Sequence, residues 1–199
     1  TGTGKTDTMI SVFVAAQCKR VLVIVPTDAL RTQISEKFLT LGVLKNEYLL
    51  SDDALYPIVG ILRHKPKDII EVDNFFSKCT VSITTMAIAG QCPTEIQKQM
   101  ALWCSDLFID EAHHIGAPTW NLFRRNFENH FIIQFTATPF RNDGRAVGGK
   151  IIYNYPLAKA QKDGFFKPIK FDPVIEYNPQ KADLSIAVKA VEQLRKDRE

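Results

Sequence analysis

The sequence predicts an open α/β sheet with helices on both faces. Three observations carry that prediction. Val21-Leu22-Val23-Ile24-Val25, Leu107-Phe108-Ile109 and Phe131-Ile132-Ile133-Gln134-Phe135 are short runs with almost no polar alternation, as in strands covered on both faces. Helical patterns separate them. The residues leaving these runs are small, hydroxyl-bearing or acidic: Pro26-Thr27, Asp110-Glu111 and Thr136-Ala137-Thr138. In open α/β sheets ligands bind beyond the carboxyl ends of the strands.

In chain order, residues 1–6 form a glycine-rich loop. Residues 5–18 read as a helix, with Met9, Ile10, Val12, Phe13 and Val14 apolar on nearly every side, which predicts burial. Residues 21–25 form the first strand, ended by Pro26. Thr27 or Asp28 caps the next helix, whose Leu30, Ile34 and Phe38 recur at helical spacing until about Gly42.

Residues 56–62 are strand-like. A basic cluster, Arg63-His64-Lys65-Pro66-Lys67, precedes a short amphipathic helix marked by Ile69, Val72 and Phe76. Residues 81–85 are a further strand. Thr94 with Gln97 has capping-box spacing, and Ile96, Met100, Trp103 and Cys104 give a helical stripe. After the strand at 107–110, Pro118-Thr119 opens a helix with Trp120, Phe123 and Phe127 on one face. Residues 131–135 read as a buried strand, and Asn142-Asp143-Gly144 as a turn. Residues 157–163 form a short helix ended by Gly164, residues 169–177 are extended, and Asp183 caps a last helix carrying Leu184, Val188, Val191 and Leu194.

The bulk composition excludes several classes. With 199 residues, 45% hydrophobic and 24% charged, the chain can bury a core and is not a disordered polymer. A formal net charge of +3 does not by itself argue for nucleic acid, so any basic surface must come from clustering. Cys18, Cys79, Cys92 and Cys104 contain no C-x-x-C pair, which favours free thiols in a reducing cytoplasm over a zinc or redox site. No apolar run approaches a membrane span, and no stretch of these residues reads as a signal peptide.

Two stretches carry chemistry. Thr1-Gly2-Thr3-Gly4-Lys5-Thr6 offers glycines for close backbone approach to phosphate, a helix N-terminus behind them, a lysine for the β/γ-phosphates and a hydroxyl for Mg²⁺. A flexible, ligand-free terminus has the same composition. Asp110-Glu111, placed after an apolar run, offers one acid for a metal shell and another for a water. Solvated loop acids are the competing reading. His113 and His114 add a transition-metal alternative, but His64 and His130 stand apart from them.

The order of these stretches, with Thr136-Ala137-Thr138-Pro139-Phe140-Arg141 and Asp143-Gly144 following, resembles the first motor domain of superfamily 2 helicases and translocases of the DEAH-box type. Within that group it is similar to the branch holding restriction-enzyme motor subunits. The resemblance implies a P-loop NTPase with a RecA-like, mostly parallel sheet sandwiched by helices. It assigns residues 1–165 to the first RecA-like domain and residues 166–199 to a linker and helix leading toward a second. It implies ATP and Mg²⁺ as cofactors. Gly2, Thr3, Gly4, Lys5 and Thr6 would hold the phosphates, with Thr6 and Asp110 on the metal. Glu111 would position or deprotonate the attacking water, and His113 would relay to Thr136 and Thr138, which couple hydrolysis to strand movement. Pro26, Thr27, Arg31, Thr84 and Thr85 fall where the family touches a nucleic-acid backbone, with DNA favoured over RNA.

The implied activity is an ATP-driven helicase or translocase. The alternatives are a restriction motor that moves along duplex DNA without unwinding it, with nuclease or methyltransferase partners elsewhere, and a non-catalytic nucleotide-binding remnant. Because Thr1 lies inside the glycine motif, the expectation is a truncated chain lacking the sheet's first strand. Such a chain should be of poor stability and show little ATP turnover by itself.

Overall fold

A computed structural model describes residues 4–51, 53–112, 118–138, 148–165 and 172–196. The chain divides into two compact units, Thr1–Ile152 and Tyr153–Glu199.

The first unit is built on a five-stranded parallel sheet among the described residues, comprising β1 (Val21–Val25), β2 (Val59–Ile61), β3 (Val81–Thr85), β4 (Asp106–Asp110) and β5 (Phe131–Phe135). Their order across the sheet is β2-β3-β1-β4-β5, and every pairing is parallel. The α/β class and the sheet sandwiched by helices are therefore as the sequence predicts. β1 is central and wholly buried. Its alternate residues feed two cores, as the period of two along a strand requires. Val21, Val23 and Val25 pack with Met9, Ile10, Ile34 and Phe38. These come from α1 (Lys5–Ala15) and α2 (Asp28–Thr40), which with α3 (Gly42–Asn46) lie on that face. Leu22 and Ile24 face the second core with Val72, Phe76, Met100, Phe123 and Phe127. That core is formed with α4 (Ile69–Phe76), α5 (Met86–Ala89), α6 (Thr94–Trp103) and α7 (Pro118–Arg125). Burying each such side chain contributes roughly 1.5–3 kcal/mol.

Local chemistry sets the helix ends. The Thr27 hydroxyl accepts a hydrogen bond from the Leu30 amide at 3.3 Å and caps α2, while Asp68 does the same for the Glu71 amide of α4 at 2.8 Å. β2 is an edge strand among the described residues, and its pairing runs on through the Ile58 carbonyl and the Leu62 amide. Gly60 within it is required by proximity: a Cβ there would sit 2.3 Å from Cys79 Sγ and 2.8 Å from a Phe75 ring carbon.

Several expectations are corrected. The first helix stops at Ala15 rather than Cys18, where Gln17 turns to φ 51. Only Met9 and Ile10 in it are fully buried; Val12, Phe13 and Val14 are half-buried at the margin of the core, where the Phe13 ring meets Phe38 of α2 edge-on at 5.7 Å. Thr94 and Gln97 form no capping box. Pro93 occupies the cap position without a side-chain bond, and the buried Gln97 donates to the Gly90 and Cys92 carbonyls instead. β5 is not a buried strand. It is the other edge among the described residues, and Phe131 is 78% exposed. α3 and α5 were not legible in the sequence. The turn at 142–144 lies outside the described residues.

In the second unit, α8 (Leu157–Lys162) ends at Gly164, φ 82, as the sequence predicts. The last helix, α9 (Pro179–Lys196), begins ahead of Asp183. Asn178 is its cap, its side chain accepting from the Gln180 amide at 3.0 Å, and Pro179 takes the first helical position, where a missing amide proton costs nothing. Residues 172–177 form neither helix nor strand.

Candidate active site

Because all five strands run the same way, their carboxyl ends share one rim. Val25 lies level with Thr85, and Asp110 with Phe135. Ile24 pairs with Ile109, which sets Asp110 beside Val25. The rim therefore carries Pro26-Thr27, Thr85, Asp110-Glu111 and Thr136 to Thr138.

Gly4, Lys5 and Thr6 reach this rim, where Lys5 pairs with Glu111. Gly4 caps α1 in the left-handed region, φ 78 and ψ 21. A Cβ there would meet nothing within 4 Å, so the backbone angle alone demands glycine, and the space above it is open for a ligand. The Gly4 carbonyl accepts from the Thr8 amide at 2.8 Å and the Thr8 hydroxyl at 3.0 Å, which fixes the first turn. Lys5 is the first residue of α1, and Thr6 follows, half-buried. The Lys5 ammonium is ion-paired with the Glu111 carboxylate, with side-chain exposures of only 20% and 19%. The fold thus joins two stretches 106 residues apart.

Asp110 ends β4 and is 5% exposed. Glu111 then adopts φ 49, a left-handed conformation rare for a residue with a side chain. That conformation costs about 1–2 kcal/mol, and such residues concentrate at functional sites. It breaks the strand's alternation, so the two acids need not point to opposite faces of the sheet. Beside them, Thr136 accepts from the Thr138 amide at 3.1 Å and donates to the Thr138 carbonyl at 3.2 Å, closing a tight turn at the exit of β5. Gly2, Thr3 and His113 lie outside the described residues.

The family model described as Type III restriction enzyme, res subunit, matches residues 1–141. The chain belongs to this family. It is a superfamily 2 helicase-like motor domain. A solved structure similar to this res-family domain is a nuclease-deletion mutant of the Type ISP restriction-modification enzyme LlaGI in complex with a DNA substrate mimic, at TM-score 0.51 and 16% identity. The match covers 81% of this chain and 15% of that enzyme's chain, so the likeness is one of fold. No curated protein matches the chain.

The residues expected to touch nucleic acid are not equally placed in the res-family domain. Pro26 is half-buried and Thr27 exposed. Both line a groove of about 540 Å³ with Met86, Gln91, Thr119 and Trp120. Arg31, Thr84 and Thr85 are internal, with Arg31 4% and Thr84 0% exposed, and the expectation that they meet a backbone phosphate does not fit that burial. Arg31 pairs with Asp28 at 2.9 Å. Arg31 Nη1 at 3.5 Å and the Thr84 hydroxyl at 3.1 Å both donate to the Leu62 carbonyl. Sequence reading missed this convergence because Leu62 shows only an apolar side chain, whereas the partner is its backbone.

All four cysteines are free thiols. Burial, then the Asp106 carboxylate, pushes the Cys18 thiol up to about 11, and burial pushes Cys104 up to about 12. Among the described residues no group of three or more His, Cys, Asp or Glu is arranged to hold a metal; His113 and His114, on which the transition-metal alternative rests, lie outside them. An Mg²⁺ ion bound through one carboxylate, one hydroxyl and phosphate oxygens needs no such cluster. No described helix is long and apolar enough to cross a membrane.

Proposed function

We propose that the domain binds Mg-ATP at the rim between Gly4-Lys5-Thr6 and Asp110-Glu111, and that in the complete protein its hydrolysis drives movement along DNA. The observation that carries this is the Lys5–Glu111 ion pair, which sets a phosphate-binding lysine against a carboxylate at a strand end.

The residues present fit the group. Gly4 has open space over it, and the N-terminus of α1 offers unpaired amides and a favourable dipole to phosphate. Thr6 and the nearly buried Asp110 would hold Mg²⁺, which neutralises phosphate charge and orients the transferring group. Lys5, exchanging Glu111 for a phosphate, holds the β/γ-phosphates. Its departure leaves the Glu111 carboxylate to accept a proton from, or orient, an attacking water. His113 is assigned the link to Thr136 and Thr138, whose turn at the exit of β5 is the coupling element. Gly2 and Thr3 complete the phosphate loop.

Nucleic acid is assigned to the groove beside Pro26 and Thr27, with DNA favoured over RNA. The family match favours a restriction-type motor that translocates on duplex DNA over a strand-separating helicase. This reading calls for a second RecA-like domain to complete the catalytic site, with residues 166–199 as the connection. Nuclease and methyltransferase functions belong to other parts of such a system.

The test is equilibrium binding of a fluorescent ATP analogue to the chain with and without Mg²⁺. Binding that needs Mg²⁺ and is lost in Lys5→Ala is expected. Equal binding by Lys5→Ala and the parent chain would overturn the assignment.

A further inference from the structure

The basic cluster at residues 63–67 has no part in the nucleotide site, yet the fold places it on the same rim. β2 runs parallel to β3 with Ile61 level with Ile83, so the chain leaves the sheet there at the end that also carries Thr85 and the groove. The loop is held at both ends. At its base the Leu62 amide donates to the Ile83 carbonyl at 3.0 Å, and the Leu62 carbonyl takes the two bonds from Arg31 and Thr84. At its exit the Lys67 amide donates to Glu71 Oε2 at 2.8 Å, and His64 Nε2 lies 3.2 Å from Glu71 Oε1. Pro66 is buried between these anchors, while Arg63, His64, Lys65 and Lys67 are exposed.

The nearby acids are already engaged. Asp68 caps α4, Glu71 clasps the loop, and Asp28 holds Arg31. Arg63 and Lys65 make no ion pair among the described residues. Met86 of the groove directly follows Thr85 at the end of β3, the strand next to β2. The loop and the groove are therefore neighbours. From β1 to β2 is two strand spacings, about 10 Å.

We propose that loop 63–67 is a preorganised grip for the phosphates of duplex DNA, extending the track from the Pro26-Thr27 groove to the sheet edge. Arg63, Lys65 and Lys67 make the contacts. Arg31 and Thr84 are positioning residues that act through the Leu62 carbonyl without touching DNA. This rests on the reading of the domain as a DNA motor.

The experiment measures anisotropy of a labelled ~20-base-pair duplex with the full chain, across about 50–200 mM salt, for the parent, Arg63→Gln/Lys65→Gln/Lys67→Gln, Thr84→Val, and the two combined. ATP-analogue binding serves as the folding control. The triple variant should lose at least about tenfold in affinity, and its salt slope should fall by up to about three. Its nucleotide affinity should stay unchanged. Thr84→Val should weaken the parent severalfold and add nothing to the triple variant, since coupled residues are not additive. Thr84→Ser should restore the parent value.

Parent-like affinity and slope in the triple variant overturn the proposal and leave the motor reading intact. A Thr84→Val loss that persists in full in the triple background overturns the positioning role. Failure of the parent chain to bind duplex DNA under any of these salts overturns the motor reading itself and the proposal with it.

Discussion

Removing the Glu111 carboxylate should tighten nucleotide binding. The structure pairs it with the Lys5 ammonium, and both side chains are about four-fifths buried. A nucleotide taking Lys5 for its phosphates must break that pair. A hydrogen bond to a charged group contributes about 1.5–3 kcal/mol, and the residual exposure argues for the lower end, about 1.5 kcal/mol. At ~1.4 kcal/mol per tenfold, Glu111→Ala should lower the Kd for an ATP analogue about tenfold. Glu111→Gln keeps a neutral bond to the ammonium and should lower it about threefold. The lost pair must also appear in stability, as a fall of about 3–6 °C in Tm without nucleotide, at ~2–4 °C per kcal/mol. Titration of a fluorescent analogue in Mg²⁺ buffer near 0.1 M salt, with thermal melts alongside, reads both quantities. A Glu111→Ala variant that binds nucleotide no better than the parent would falsify the idea that the pair competes with phosphate, and would recast Glu111 as a residue that helps hold the ligand.

Other outcomes follow from the same geometry. Gly4→Ala meets no atom but must hold φ 78, so it should cost about 1–2 kcal/mol and weaken nucleotide binding; an unchanged denaturation midpoint would contradict this. Phe108→Ala empties a fully buried position in β4 facing Phe135 and should cost about 3–5 kcal/mol in urea unfolding, with a loss below ~1 kcal/mol showing that this core is not packed as described. Asp73 on α4 accepts from Trp103 Nε1 at 2.5 Å and Gln99 Nε2 at 2.6 Å, and these bonds hold its carboxyl below its ordinary 3.8. The contribution is present above that value and lost as pH falls below it, so tryptophan emission should shift on acidification below about pH 3.8. Asp73→Asn should lack that step; persistence of the same step would assign it elsewhere. The four cysteines, three of them buried and Cys18 and Cys104 raised, should resist alkylation near pH 8 until the protein is denatured, because the thiolate is the reactive form. Rapid labelling of Cys104 in the native chain would contradict its burial.

Much of the fold was legible because its signals are local. A five-residue β-branched run such as Val21 to Val25 needs no partner to be read as a buried strand, and Trp120 and Phe123 announce one helix face by spacing alone, although α7 ends at Arg125 and Phe127 is buried from the turn that follows. The misreadings share a cause. Whether β5 is covered, whether Thr94 or Pro93 caps α6, and whether Val12 to Val14 are enclosed depend on neighbours that spacing does not name. The candidate site divides in the same way. Gly4-Lys5-Thr6 and Asp110-Glu111 could be singled out by residue type, whereas Arg31, Thr84 and Thr85 looked like surface contacts and lie inside.

The sequence by itself determined the parts: a phosphate-suited loop, an acid pair after an apolar run, hydroxyls at strand exits, and a basic cluster. Those follow from residue chemistry and backbone preference, which act over a few positions. Only the tertiary structure decided that Lys5 meets Glu111, that Glu111 is left-handed, and that Arg31 and Thr84 converge on the carbonyl at the base of the basic loop. Each is set by the parallel register of the sheet, a long-range arrangement that brings together groups far apart in the chain.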